Sequence, residues 1–207
     1  MKYRAGFLTV VCAWMVILIQ RLDAGHAPKK HAAGVSCRLK ELTELTRSLV
    51  IESLTGFDEA NGDHLGAWPP GFPELQVQAN STLNGSKVQC SFLFMAQGLK
   101  EVLDDQKNNL NPKDVSLHDK LTRTISKVNS LTACAKNILG GECSPKPPPA
   151  KMPTHAFDRK QWSHTLLKTA SGYLDWFGVQ ISKVKKTIKR KTEGNLQKYL
   201  EGSGYLL

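Results

Sequence analysis

The chain has 207 residues and a formal net charge of +10, with 28 Lys and Arg against 18 Asp and Glu. About 180 residues lie beyond an apolar leader, enough for one domain with a sizeable core. No stretch after the leader approaches the roughly 20 apolar residues that a bilayer span needs, which excludes later membrane spans.

Lys2 and Arg4 precede an apolar run from Ala5 to Ile19, and the chain turns polar at Gln20-Arg21. A basic start followed by about 15 apolar residues is the pattern of a secretory signal peptide, expected over 1–24. Its removal takes Cys12 away and leaves Cys37, Cys90, Cys134 and Cys143. Four cysteines in an oxidising compartment predict two disulfides, with three pairings open. Residues 25–35 carry no pattern and are expected to form a flexible N-terminus.

A first helix is predicted from Ser36, a good N-cap, to about Gly56. Leu39, Leu42, Leu45 (or Thr46), Leu49 and Ser53 line its inner side, and Lys40, Glu44 and Arg47 its outer side. From Phe57 to Ser86 neither helical nor alternating periodicity is visible. Such a long loop needs a purpose, and carrying the chain back along the whole helix is one. It holds two N-glycosylation sequons, at Asn80 and Asn84. A second helix is predicted over 87–106, with Val88, Ser91, Phe92, Met95, Leu99 and Val102 inward. The short link 107–111 makes the third helix antiparallel to the second. Asn111-Pro112 is read as its start, with Asn111 as N-cap and Asp114 in the capping-box position. Leu117, Leu121, Ile125, Val128, Leu131 and Ala135 face inward, Arg123, Lys127 and Ser130 face outward, and Gly140-Gly141 ends the helix.

Residues 142–154 contain five prolines, so this second crossover is extended and semi-rigid. The last helix is predicted over 155–191. Its stripe is Trp162, Leu166, Ala170, Tyr173, Phe177, Ile181, Val184 and Ile188, recurring every three or four residues. Long, short and long connections between four long helices predict an all-α, long-chain four-helix bundle over 36–191 with up-up-down-down topology. A C-terminal tail follows at 192–207. Lys183, Lys185, Lys186, Lys189, Arg190, Lys191 and Lys198 crowd this end. They suit heparan sulfate as a partner, or a solvated helix end whose cations favour the helix dipole. For a secreted chain, nucleic acid is not the expected partner.

Catalytic constellations do not emerge. The six histidines are scattered, with neither an HExxH helix nor a Cys/His zinc spacing, and GxSxG, P-loop and GxGxxG patterns are absent. Asp104-Asp105 beside a turn reads as a solvated helix end. The chain is therefore read as a non-enzyme without metal or cofactor.

The segments Asp105-Gln106-Lys107, Leu110-Asn111-Pro112, Ser116-Leu117-His118 and Lys120-Leu121 resemble the junction of the second and third helices in the leukaemia inhibitory factor, oncostatin M and ciliary neurotrophic factor group of the interleukin-6 cytokine family. Phe72-Pro73 and Asn84-Gly85-Ser86 are similar to the first crossover of leukaemia inhibitory factor, the nearest member. Phe157-Asp158-Arg159-Lys160 matches the group's Phe-x-x-Lys motif at the start of the fourth helix, and Trp162 resembles the neurotrophic member. The resemblance covers roughly residues 36–182. It departs at the bridge joining the first crossover to the last helix: residues 57–75 have no Cys, and His164 stands at the helix position. Cys90 has no counterpart.

The resemblance implies a secreted, monomeric cytokine that joins two receptor chains and so starts JAK–STAT signalling. Phe157 and Lys160 would engage a leukaemia inhibitory factor receptor-type chain. Glu44, Arg47, Arg123, Lys127 and Ser130 would face the signal transducer shared across the interleukin-6 family. It also implies that Cys37 reaches Cys134 or Cys143. Outside this family, the basic last helix would suit a secreted amphipathic bundle that binds lipid or membrane surfaces.

Overall fold

The computed structural model describes residues 37–78 and 81–202, with the side chains of the last helix described as far as Val184. The expected signal peptide, the flexible N-terminus and the sequon residue Asn80 lie outside the described residues. The rest is all-α: α1 spans Leu39–Asn61, α2 Gly85–Asp105, α3 Val115–Leu139 and α4 Ala156–Gly202. No strand occurs among the described residues.

The contacts at the helix ends fix the topology. Asn61, at the end of α1, bonds Gln106 and Asn111, which lie just beyond α2 and just before α3. Gly85, at the start of α2, lies against Leu139 and Gly140 at the end of α3. Arg159, in the first turn of α4, reaches Asp105 at the end of α2. Helices α1 and α2 therefore run one way and α3 and α4 the other, the up-up-down-down arrangement. Each of the first pair packs on both of the second. The disulfides are Cys37–Cys134 and Cys90–Cys143. Both sit at the pole where α1 and α2 begin and α3 ends.

The core takes in most of the stripes the sequence predicts, together with Val50, Phe94, Leu103, Leu167 and Leu174 beside them and Leu65, Phe72 and Leu75 of the first crossover. All six predicted positions on α2 are buried, as are Trp162, Leu166, Ala170, Tyr173 and Phe177 on α4. Phe92 stacks edge-on with Phe177 and Tyr173 at 5.1 and 5.8 Å between centroids. Burying each such side chain contributes about 1.5–3 kcal/mol. Gly98 leaves room for Leu166 of α4, since a Cβ there would come within 2.7 Å of that side chain.

Several boundaries differ from the sequence reading. Helix α1 does not end by Gly56 but continues to Asn61. Gly56 is buried inside it against Leu117 and Lys120 of α3, and Phe57 is wholly buried in the next position. Leu45 is exposed, and Thr46 takes the inner place, its hydroxyl donating to Leu42 O. The link after α2 is a π-helical turn, Gln106–Leu110. Asn111 does not cap α3: its amide is committed to Asn61 and Gln106, and Asp114 caps the helix by accepting from Leu117 N–H at 2.9 Å. Ile125 is half-buried, with Thr124 fully buried beside it. Helix α4 runs past residue 191 to Gly202, so most of the expected tail is helical. Within the expected stripe of α4, Val184 is exposed, and the Ile188 side chain is outside the described residues.

Candidate functional site at the unbridged pole

The pole opposite the disulfides is assembled from the end of α1, the π turn, the first crossover and the first turns of α4. A knot of amides closes it. Asn61 Nδ2 donates to Gln106 Oε1 at 3.1 Å, and Asn111 Nδ2 donates to Gln106 Oε1 at 2.8 Å and to Asn61 Oδ1 at 3.0 Å. His118 lies 3.0 Å from Asn111 O through Nε2. Gln106 is fully buried, and these bonds satisfy its Oε1, while its Nε2 is buried with no hydrogen-bond partner among the described residues.

The first crossover is pinned to α4. Phe72 is buried edge-on against Trp162 with centroids 5.3 Å apart, and it tilts against Phe94 at 5.8 Å. Gln161 Nε2 donates to Leu65 O at 2.7 Å, and Trp68 N–H donates to Thr165 Oγ1 at 2.8 Å. His164 Nε2 approaches Asp58 Oδ1 at 3.6 Å. Burial pushes the Asp58 carboxyl above its ordinary value, and His164 partly opposes that rise. Pro70 and Pro73 are exposed on the same loop.

On this backing stand Phe157 and Lys160. Phe157 is 59 % exposed. It precedes Trp162 by five residues, which turns it about 140° away from the buried stripe. Lys160 is half-buried one turn on, and the i, i+3 spacing puts both on one side of the helix. Such a pair offers an aromatic body and a cation together on a fixed surface.

The other expected receptor residues are only partly brought together. Arg123, Lys127 and Ser130 follow one another along α3, Lys127 half-buried and the other two exposed. The Ser130 hydroxyl donates to Ser126 O within its own helix. Glu44 is exposed and pairs with Lys40 at 3.7 Å. Arg47 turns toward α4 and pairs with Asp175. Of the sequons, Asn84 is the N-cap of α2, its Oδ1 accepting from Lys87 N–H at 3.0 Å.

Asp105 corrects the reading of Asp104-Asp105 as a solvated end. Asp104 is exposed, but the Asp105 side chain is 3 % exposed and ion-pairs with Arg159, Nε to Oδ1 2.9 Å. Gln161, Thr165 and this pair were missed by periodicity, which weighs apolar positions only. Among the described residues, no group of three or more His, Cys, Asp or Glu could hold a metal ion, and no helix is long and apolar enough to cross a membrane.

No family model matches the chain, and no curated protein matches it in sequence.

Proposed function

We propose that the chain is a secreted helical cytokine of the leukaemia inhibitory factor type. In this reading Phe157 and Lys160 engage a leukaemia inhibitory factor receptor-type chain at the unbridged pole. The outer side of α1 and α3 engages the shared signal transducer of the interleukin-6 family. The protein contributes geometry: holding two receptor chains together brings their cytoplasmic kinases close enough to start JAK–STAT signalling.

The observation that carries the reading is Phe157, a large apolar side chain left 59 % exposed on a helix whose next turn is locked into the core by Trp162. A Phe serving as a lid on the core would be buried. An aromatic on a rigid element, with a cation beside it, is the usual form of a binding hot spot. The loop that backs it is held by Gln161, Thr165 and the Phe72–Trp162 stack, with no covalent bridge at that place. Two disulfides fit folding in an oxidising compartment. Of the second-receptor candidates, Arg123, Lys127 and Ser130 keep their place in the proposal, and Arg47 is the weakest because of its tie to Asp175. Heparan sulfate is proposed as an accessory partner of the basic run at 183–198.

The test is binding of Phe157→Ala/Lys160→Ala and of the parent protein to a leukaemia inhibitory factor receptor ectodomain, with helix content checked by circular dichroism. The proposal expects a folded double variant that loses most binding. A variant that binds as the parent does would move the receptor site elsewhere.

A second reading, lipid or membrane binding, is favoured by one feature at the bridged pole. A depression there is lined by Leu39, Leu83, Leu139 and Ile181, with Ile138 and Val184 exposed at its edge. Sedimentation with neutral and anionic vesicles separates the readings, since a receptor ligand should stay in the supernatant with neutral vesicles.

A further inference from the structure

Between Ala156 and Gln161 no residue of α4 is buried, and Trp162 is the first that is. Phe157 and Lys160 thus lie on a helix start that no apolar anchor holds. Two polar ties act there. One is Gln161 to Leu65 O. The other is the ion pair of Arg159 with Asp105, in which the side chains are 20 % and 3 % exposed. Arg159 also donates through Nη1 to Thr154 O, fastening the end of the second crossover. Asn109 of the π turn donates to Asp105 Oδ1 at 2.8 Å and holds the carboxylate in place. The other oxygen, Asp105 Oδ2, is buried and makes no hydrogen bond among the described residues.

A buried ion pair with an unsatisfied oxygen is a poor source of stability. The cost of taking both charges out of water roughly matches or exceeds their attraction, and well-packed apolar replacements are often neutral or stabilising. What such a pair does in some proteins is select one geometry, and here the contact is an ion pair by distance, with Arg159 Nε making no hydrogen bond among the described residues. A helix turns 100° per residue, so a first turn that frays or slips by one residue carries Phe157 off its face. We infer that Asp105 and Arg159 are a positioning pair, which sets the azimuth of the first turn of α4 and so presents Phe157 and Lys160 preformed. The inference rests on the receptor reading above. Asp105 itself is too buried to touch a receptor.

The test uses two variants of the full chain, Asp105→Asn and Asp105→Leu/Arg159→Met. Phe157→Ala serves as the reference for the tip site. Thermal melting, affinity for a leukaemia inhibitory factor receptor ectodomain and amide hydrogen exchange at residues 158–161 are measured on each. The apolar double variant should melt at or above the parent temperature, bind about tenfold more weakly, and exchange faster at 158–161, because the competent orientation is populated less. Asp105→Asn, which keeps the shape and leaves Arg159 in place, should also bind more weakly. Binding within about twofold of the parent by both variants overturns the inference. So does loss of binding in the double variant alone, which would make Arg159 a direct contact. If Phe157→Ala binds as the parent does, the receptor reading is what fails. Exchange at 158–161 then decides the pair, and unchanged rates in Asp105→Asn and the double variant overturn it.

Discussion

Phe72→Ala is the substitution that most directly probes how the tip is built. Phe72 is 4 % exposed in the first crossover, just before the 3-10 turn Pro73–Leu75, wedged between Trp162 and Phe94. An aromatic side chain of about 200 Å², buried almost completely, is worth about 5 kcal/mol at 25 cal/mol per Å² as an upper bound. Large-to-small substitution of a buried Phe costs about 3–5 kcal/mol when the surroundings cannot collapse. A loop can respond differently: it can lift away. If it does, the global cost is capped at the free energy of that local opening, and Trp162 is left uncovered. Urea denaturation reads the global term, and limited proteolysis within residues 62–78 reads the local one. We expect a global loss of about 2–4 kcal/mol together with faster cleavage in the loop. A loss under about 1 kcal/mol with unchanged cleavage would refute the reasoning, because the loop would then be held by something other than Phe72.

Three further outcomes follow from the packing. Burial raises the Tyr173 hydroxyl from 10.0 to about 12, so the stability tied to its neutral form is intact below pH 10 and is lost as pH rises through 12. That loss is about 3 kcal/mol, and Tyr173→Phe should escape it, so melting curves of parent and variant that fall in parallel above pH 10 would contradict it. The Asp58 carboxyl is raised above 3.8, so its contribution is present below that pH and lost above it. Asp58→Asn should therefore be more stable than the parent near neutral pH, the gap closing on acidification, and melting temperature across that range checks this. Replacing Cys37 and Cys134 by Ala releases a constraint across 97 residues, worth about 4.7 kcal/mol in the chain-entropy relation, against about 4 kcal/mol for the 53 residues between Cys90 and Cys143. Urea titrations of the two variants should show losses of about 2–5 kcal/mol each, and a loss below about 1 kcal/mol in either would count against the pairing.

The helix count, the topology and the apolar stripe of α4 from Trp162 to Phe177 were legible in the sequence because large side chains at helical spacing leave few alternatives. The inward place of Ser53 was read correctly and Thr46 stood as the alternative to Leu45, but Thr43 and Thr124 were passed over; all four are buried although polar. Thr43 and Thr46 donate to carbonyls one turn back, and Ser53 meets Thr124 at 2.9 Å. Once satisfied in that way, a hydroxyl can occupy the interior as a small apolar group would, and pattern reading gives the place to the neighbouring Leu45 instead. Gly56 and Asn111 were misassigned because a helix-ending glycine and a capping asparagine look the same in sequence when tertiary partners claim them. At the tip, the Phe-x-x-Lys spacing was visible, but the Asp105–Arg159 contact joins residues 54 positions apart, and no local rule connects them.

Both disulfides tie the same pole, and the Phe157 pole is closed by amides, one ion pair and a pinned loop. The bundle is therefore graded along its length. Openings of increasing size should begin at the Phe157 end and halt at the sulfur bridges, so amide protection should climb from Asn61 back toward Leu42 and from Asp105 back toward Val88, the first amides bonded within each helix. A molecule graded in this way confines its openings to the end that amides and one ion pair hold in shape, while its other end stays closed even when the first has opened.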